Sequence, residues 1–343
     1  MNTPTDRVPN YARRFLILVL AFLLVFFVSF MLGQYPIAPV TLIKILLSRV
    51  FEITQTWEGA AETVVFQVRL PRIIGGALIG AALSTAGAAY QGVFQNPMVS
   101  PDILGASSGA GFGAALGILL SVGYLAISLM SFVFGLGAVL LAYFISRRGR
   151  GNAVLSMVLA GIMISTLANS ATSFVKLVAD TDSVLPAITY WLMGSLASLK
   201  QKDVWFLLIP CALGLIPLLL LRWRINLLTT GDEEAASMGI NVKRLRGAVI
   251  LCSTLLAAAS VAVSGLIGWV GLVIPHFSRM AFGHDYRRVI PASMLMGAAF
   301  LPFVDNFARL LTTSEIPIGI LTSFVGAPMF VYLILKGGGS SND

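Results

Sequence analysis

Apolar runs of about twenty residues recur along the chain, and few folds accommodate them. A membrane-spanning helix needs ~20 mostly apolar residues to cross the hydrocarbon core. Ten such runs can be read, at residues 15–33, 73–94, 103–120, 124–146, 153–178, 204–221, 247–264, 266–282, 289–308 and 316–335. Composition agrees. Of 343 residues, 57% are hydrophobic and only 11% charged, with a mean hydropathy of +0.89, whereas soluble domains carry about 25% charge. The expected fold is all-α, a polytopic membrane protein of about ten transmembrane helices, with residues 1–343 as a single transmembrane domain. The first run lacks a small-residue cleavage site and is followed by further spans, so it reads as a span and not as a cleaved signal.

Two shorter apolar stretches do not read as spans. Residues 37–51 place Ile37, Val40, Ile43, Leu47 and Val50 on one helical face, with Lys44 and Arg49 elsewhere, as an interfacial helix does. Residues 184–199 are broken by Pro186 and Gly194 and carry Tyr190 and Trp191, which suits an interfacial or re-entrant segment. Charge supports this choice. With ten spans and a cytoplasmic tail at residues 1–14, 15 of the 23 basic residues face the cytoplasm, among them Arg7, Arg13, Arg14, Arg147, Arg148, Arg150, Arg279, Arg287 and Arg288. The other 8 (Lys44, Arg49, Arg69, Arg72, Lys176, Lys200, Lys202 and Arg309) face outward. An eleventh span at 184–199 would move the basic cluster of residues 222–246 outside, against the positive-inside rule. The net charge of +8 follows this topology and does not point to nucleic acid.

That cluster is a polar island. Its 25 positions hold eight of the 38 charged residues, between long apolar runs. A charge at the bilayer centre costs about 2.5–3.5 kcal/mol even on the gentler scale, so the segment is a solvated cytoplasmic loop. Thr230 and Glu233 have capping-box spacing, Glu233 and Glu234 lie in the first turn, and Gly239 suits a C-terminal stop. A helix over residues 232–238 would be only ~10 Å long. It either belongs to an ordinary connection or lies in a groove on a partner.

Small residues recur every fourth position in two spans. The third carries Gly105, Gly109, Gly113 and Gly117; the second carries Gly76, Gly80, Ser84, Ala88 and Gly92. This spacing lets membrane helices approach closely and marks helix-packing faces. Between them, Ser100 as N-cap and Pro101 at the first helical position start the third span, with Asp102 at the positive end of its dipole. Pro275 is expected to break the eighth span, leaving His276 at a helix end, one turn from Arg279. Asp305 and Arg309, four apart, are expected to pair. Arg69 and Arg72 flank Pro71 at the outer end of the second span, and Arg309 adds a third outer arginine. Such arginines either snorkel to lipid headgroups or serve a partner. Cys211 and Cys252 lie in apolar runs as packing residues, without disulfide or metal spacing. No G-x-x-x-x-G-K-[ST] loop occurs, so any ATP hydrolysis belongs to another chain.

Five motifs in order carry a resemblance. They are Arg69-Leu70-Pro71-Arg72; Gln91 with Asn96-Pro97 and Pro101; the run from Gly231 through Asp232, Glu233, Glu234, Ala235, Ala236, Ser237 and Met238 to Gly239; the run from Gly271 through Pro275 and His276 to Arg279; and Glu315-Ile316-Pro317-Ile318-Gly319 followed by Gly326-Ala327-Pro328. From about Arg69 to Lys336 the chain resembles the permease subunit of the iron-siderophore, haem and cobalamin group of ABC importers. The resemblance implies a type II importer permease fold of ten spans in a prokaryotic inner membrane, with both termini cytoplasmic. It implies a homodimer or homologous heterodimer of permeases, two cytoplasmic ATPase subunits and an external substrate-binding protein. It places ATPase coupling on residues 232–239, and binding-protein docking on Arg69, Arg72 and Arg309. One departure stands out. Before the fifth span, Val154 and Leu155 occupy places where the cobalamin permease has small hydroxyl residues at its inner gate.

The reading is a permease, not an enzyme, without cofactor or metal, carrying a metal chelate inward. A ferric siderophore leads, with haem, cobalamin and molybdate as alternatives. An ion-coupled secondary transporter would want protonatable or ion-coordinating groups near the midplane, and an embedded hydrolase would want clustered histidines and carboxylates. The chain offers neither in a convincing set.

Overall fold

The computed structural model describes residues 10–49, 51–149, 153–312 and 314–337. Arg7, Arg150, Val50 and most of the expected 1–14 tail lie outside them. Among the described residues every regular element is a helix. The first, α1 (Tyr11–Met31), is capped by the Asn10 side chain, which accepts from the Arg13 amide, so Arg13 and Arg14 are already helical. It is followed by α2 (Pro39–Leu47), α3 (Gly59–Thr63), α4 (Leu70–Val93), α5 (Ala106–Leu119), α6 (Tyr124–Arg148), α7 (Ala153–Val178), α8 (Val184–Leu192), α9 (Gln201–Leu228), α10 (Asp232–Ser237), α11 (Val242–Ser264), α12 (Val270–Phe282), α13 (Tyr286–Leu310) and α14 (Ile318–Gly337). Seven of the apolar helices are long enough to cross a membrane, and α5 and α14 contribute shorter apolar segments.

The centre of the bundle is α4. Its most apolar window is 89% buried, against 11% for α1 and 17% for α7, and α13, α11, α9 and α12 pack around it. The small-residue spacing explains the closeness. A Cβ on Gly80 would stand 2.1 Å from the Gly297 carbonyl oxygen of α13, and the Ser84 hydroxyl donates across the same contact to the Ser293 carbonyl at 2.8 Å. On another face, a Cβ on Gly87 would stand 1.8 Å from the Gly271 carbonyl oxygen. That carbonyl is unusual because Pro275, four residues on, has no N–H to give it. The close α4 backbone takes the place of the missing helix bond, as a Cα–H donor can. Gly109 and Gly113 of α5 likewise abut the Phe134 and Met130 carbonyls of α6, and Gly117 meets Ile127. Gly105 departs from this stripe. It has φ +88° and joins a short 3-10 turn, Pro101–Leu104, to α5, facing Ser165 of α7 instead.

Several expectations change. Pro275 lies inside α12; the break is at residues 265–269, and the resulting helix has 13 residues, about 20 Å. His276 is therefore in mid-helix. Residues 184–199 form α8 and then turn back: the Ser195 amide donates to the Ser264 carbonyl at 2.7 Å, and Gly194 (φ +73°) and Gly265 (φ +68°) let the two non-helical backbones touch. The bond supplies part of the internal pairing that irregular backbone at membrane depth requires. In α2, Leu42 and Ile45 are buried, while Val40, Ile43 and Leu47 form the exposed apolar face. Ser100 does cap the 3-10 turn, accepting from the Asp102 amide at 3.2 Å. Cys211 is buried and Cys252 half-buried, both free.

Candidate functional site

One end of the bundle carries an arginine cluster. A π-helical turn (Val64–Arg69) runs into α4, and its wider pitch accommodates Pro71 where an α-turn would meet the ring. Arg72, one residue on, is 5% exposed. Its Nε and Nη2 form a fork with Asp305 at 2.9 and 2.8 Å, while Nη1 donates to Glu315 at 2.8 Å. Asp305 also pairs with Arg309 at 3.3 Å. Arg309 in turn donates to the Leu32 and Ser29 carbonyls and to Asn306, whose amide reaches the Ser29 hydroxyl at 2.9 Å. Arg69 closes the set by donating to the carbonyls of Phe30, in the last turn of α1, and of Tyr35 just beyond it, with Gly33 (φ +143°) tucked against its guanidinium. Three arginines thus tie the ends of α1, α4 and α13 and the segment before α14 into one block.

Arg69, Arg72 and Arg309, expected at a docking face for a binding protein, are thus engaged within the chain itself. All three side chains are buried; Arg72 and Arg309 are held by Asp305 and, for Arg72, Glu315, and Arg69 by backbone carbonyls. The Asp305–Arg309 pair is as expected. The Arg72 pairs join residues 233 and 243 positions apart, so no local spacing announces them.

The opposite end carries the polar island. Here α10 lies between the end of α9 and the start of α11. Gly231 (φ +125°), not Thr230, is its N-cap; the Thr230 hydroxyl donates back to the Leu227 carbonyl and serves α9. The C-terminal stop is as expected. Gly239 (φ +82°) donates to the Ala236 carbonyl and Ile240 to that of Ala235, the paired bonds of a Schellman motif. A bridge then fastens the element, as Arg246 of α11 reaches Asp232 at 2.8 Å. Ala235 is fully buried beneath, whereas Glu233, Glu234, Ala236, Ser237, Met238 and Gly239 are exposed. A cavity of about 400 Å³ beside α10 is lined by Gln95, Val154, Glu233, Glu234 and Arg246.

Basic residues from distant segments meet at the α10 end. Arg14 donates to the Ala281 carbonyl, and Arg288 lies over the Tyr11 ring, 3.8 Å from its centre, so the start of α1 shares the end that holds α10. At that end Asp285 caps α13, and its hydrogen bond from Arg287 holds the carboxyl below the usual range. Elsewhere Lys202 stacks on Tyr124, and Arg49 pairs with Glu62.

The family profile of the FecCD transport family matches residues 20–336. The chain belongs to the FecCD transport family. Within it, the chain is 38% identical over 314 residues to the "Molybdate import system permease protein MolB" of Haemophilus influenzae, covering 91% of this chain and 93% of that one. It is 41% identical over 273 residues to the "Probable iron chelatin transport system permease protein" of Helicobacter pylori, covering 80% and 82%. A metal-chelate type ABC transporter solved in an inward-facing conformation matches with TM-score 0.86 and 36% identity, over 95% of this chain and 100% of that chain. This FecCD chain is therefore a multi-pass ABC importer permease of a prokaryotic inner membrane, and the named cargoes of its relatives differ.

Proposed function

We propose that this permease pairs with a second permease, that the pair docks two ATPase subunits, this chain through its α10, and that it passes a metal chelate, a ferric siderophore, inward from an external binding protein. The observation that carries the reading is the construction of α10. Its inner side is anchored by Ala235 and by the Asp232–Arg246 bridge, while Met238 and two glutamates project from a rigid base. An apolar residue held out at the tip of a short, capped helix is what a groove on a partner can take. The outer binding protein then seats on the opposite end, where Arg69, Arg72 and Arg309 act as the internal frame of the docking face. The exposed faces of α1 and α7, poor in buried residues, are left to lipid and to the second permease.

In this orientation both termini and α10 are cytoplasmic. Single cysteines at Asp232 and Arg148, both exposed, should then resist an impermeant thiol reagent added to intact cells, while one at exposed Asp182 should react. Labelling at Asp232 from outside would reverse the topology.

Molybdate is the second reading for the cargo, because a relative covering 91% of the chain is named for it. Native mass spectrometry of the binding protein isolated with its ligand decides between them. A mass increment of a ferric chelate is expected, and an increment of molybdate alone would replace the chelate reading.

A further inference from the structure

A cavity of about 640 Å³ opens at the α10 end of the bundle, between the last turns of α4 and α9, the flank of α12 and the start of α13. Leu272, Val273 and Phe330 give it apolar walls, yet it also gathers both histidines of the chain, His276 and His284, around Arg279. Arg279 is only 8% exposed. Its Nη1 donates to the Gln91 side-chain oxygen, and that amide is itself fixed, its nitrogen donating to the Val99 and Leu272 carbonyls at 3.1 and 3.4 Å. Among the described residues its Nη2 is buried without a hydrogen-bond partner of good geometry, although the Tyr286 phenol lies beside the guanidinium. No residue lining the cavity is acidic. The nearest carboxylate in sequence, Asp285, is committed to Arg287 at 2.7 Å and Arg288 at 3.5 Å.

A buried guanidinium with an idle donor and no counter-charge is costly. Arg246 and Arg309 also keep a buried Nε without a hydrogen-bond partner, but each faces a carboxylate, Asp232 and Asp305 respectively, while Arg72 and Arg69 are met by carboxylates or carbonyls. We propose that this cavity is an anion site, in which a compact oxyanion is held by Arg279 Nη2 and by N–H groups of His276 and His284. The planar guanidinium suits oxygen anions because it donates along two parallel directions and keeps its charge at any working pH. Each imidazole adds at least one N–H donor. The Gln91 clamp keeps the fork from turning away, so the site is preorganised. The site goes beyond the transport reading and depends on the cavity alone. An oxyanion cargo and free inorganic phosphate share the chemistry it recognises.

The test uses the permease purified with its ATPase in lipid nanodiscs, and equilibrium dialysis against radiolabelled phosphate, sulfate and molybdate. Saturable binding of at least one probe, one per permease chain, is expected. Arg279→Gln should weaken it about tenfold or more, the worth of a charged hydrogen bond. Arg148→Gln, an exposed arginine at the end of α6 and outside the cavity, should not change it. Molybdate bound at least tenfold tighter than phosphate assigns the site to cargo; comparable affinities assign it to phosphate and like anions. No saturable binding of any probe, or unchanged binding in a monodisperse Arg279→Gln protein, overturns the proposal. If Arg279→Gln does not stay monodisperse, the His276→Gln/His284→Gln double variant decides. A weakening of about threefold or more is expected there, and unchanged affinity would count against the site. Copurification of the ATPase is scored separately, since its failure bears on the transport reading and not on anion binding.

Discussion

Arg72→Ala should remove most of the folded permease from the membrane fraction, and Arg72→Glu should do so more completely. Deleting this guanidinium leaves Asp305, itself 2% exposed, with Arg309 alone at 3.3 Å, and leaves Glu315 unpaired. Breaking a buried ion pair from one side costs about 3–5 kcal/mol, because a desolvated charge stays behind. The glutamate variant adds a third carboxylate to the same pocket. Arg72→Lys should fall between, since an ammonium cannot fork to Asp305 while also reaching Glu315. The control is Arg72→Gln with Asp305→Asn, which removes one charge of each sign and leaves Arg309 facing Glu315. It should lose less than the two single variants together, as coupled neighbours do. Fluorescence-detected size exclusion with a thermal ramp reads these four together with the Arg72→Gln and Asp305→Asn single variants. A folded, wild-type-stable Arg72→Ala that had lost only affinity for the binding protein would show that the arginine serves an external partner after all.

Gly87→Ala should be nearly as damaging, although it adds one methyl group. Its Cβ would sit 1.8 Å from the Gly271 oxygen, and both partners are backbone within packed helices, so neither yields as a side chain would. Overpacking typically costs about 1–3 kcal/mol and occasionally more, and a backbone clash of this depth belongs at the top of that range. Separation of α12 from α4 would also move Gln91 and Arg279 apart, so the cavity they shape should suffer with the fold. Gly137→Ala provides the contrast: nothing lies within 4 Å of its Cβ position, and alanine is favoured over glycine in a helix by roughly 0.5–1 kcal/mol. The same thermal ramp should therefore show Gly87→Ala melting well below the parent and Gly137→Ala at or above it. Similar melting of the two would mean that α4 and α12 are not held in this contact.

The long helices were legible because hydrocarbon imposes a length and a composition that each run meets independently. The α10 segment was legible for a related reason: a charged block between apolar runs must be solvated, and Gly239 has a local role that its neighbours reveal. What stayed hidden depends on the third dimension. The Arg72 fork joins residues 233 positions apart, and the Arg279–Gln91 bond spans 188; no periodicity encodes either. Pro275 was misread because proline usually ends helices, whereas here α4 supplies what the ring removes. The 266–282 run shortened to α12 because residues 265–269 answer to the turn after α8, a partner with no local mark. Ala235 and Met238 are both apolar residues on a polar helix, yet one is buried and the other 49% exposed. Only the position of α9 and α11 distinguishes them.

That distinction supplies the most direct test of α10 as the docking element. Met238→Asp changes an exposed tip and should leave the permease folded, with its melting temperature unaltered. A buried, unpaired carboxylate in the partner's groove should nonetheless cost several kcal/mol, enough to abolish ATPase recruitment. Copurification of the ATPase with wild-type and Met238→Asp permease, in parallel with ATP-driven uptake into proteoliposomes, measures this directly. The account predicts a stable permease without bound ATPase and without uptake; a variant that retains both at wild-type levels would contradict it.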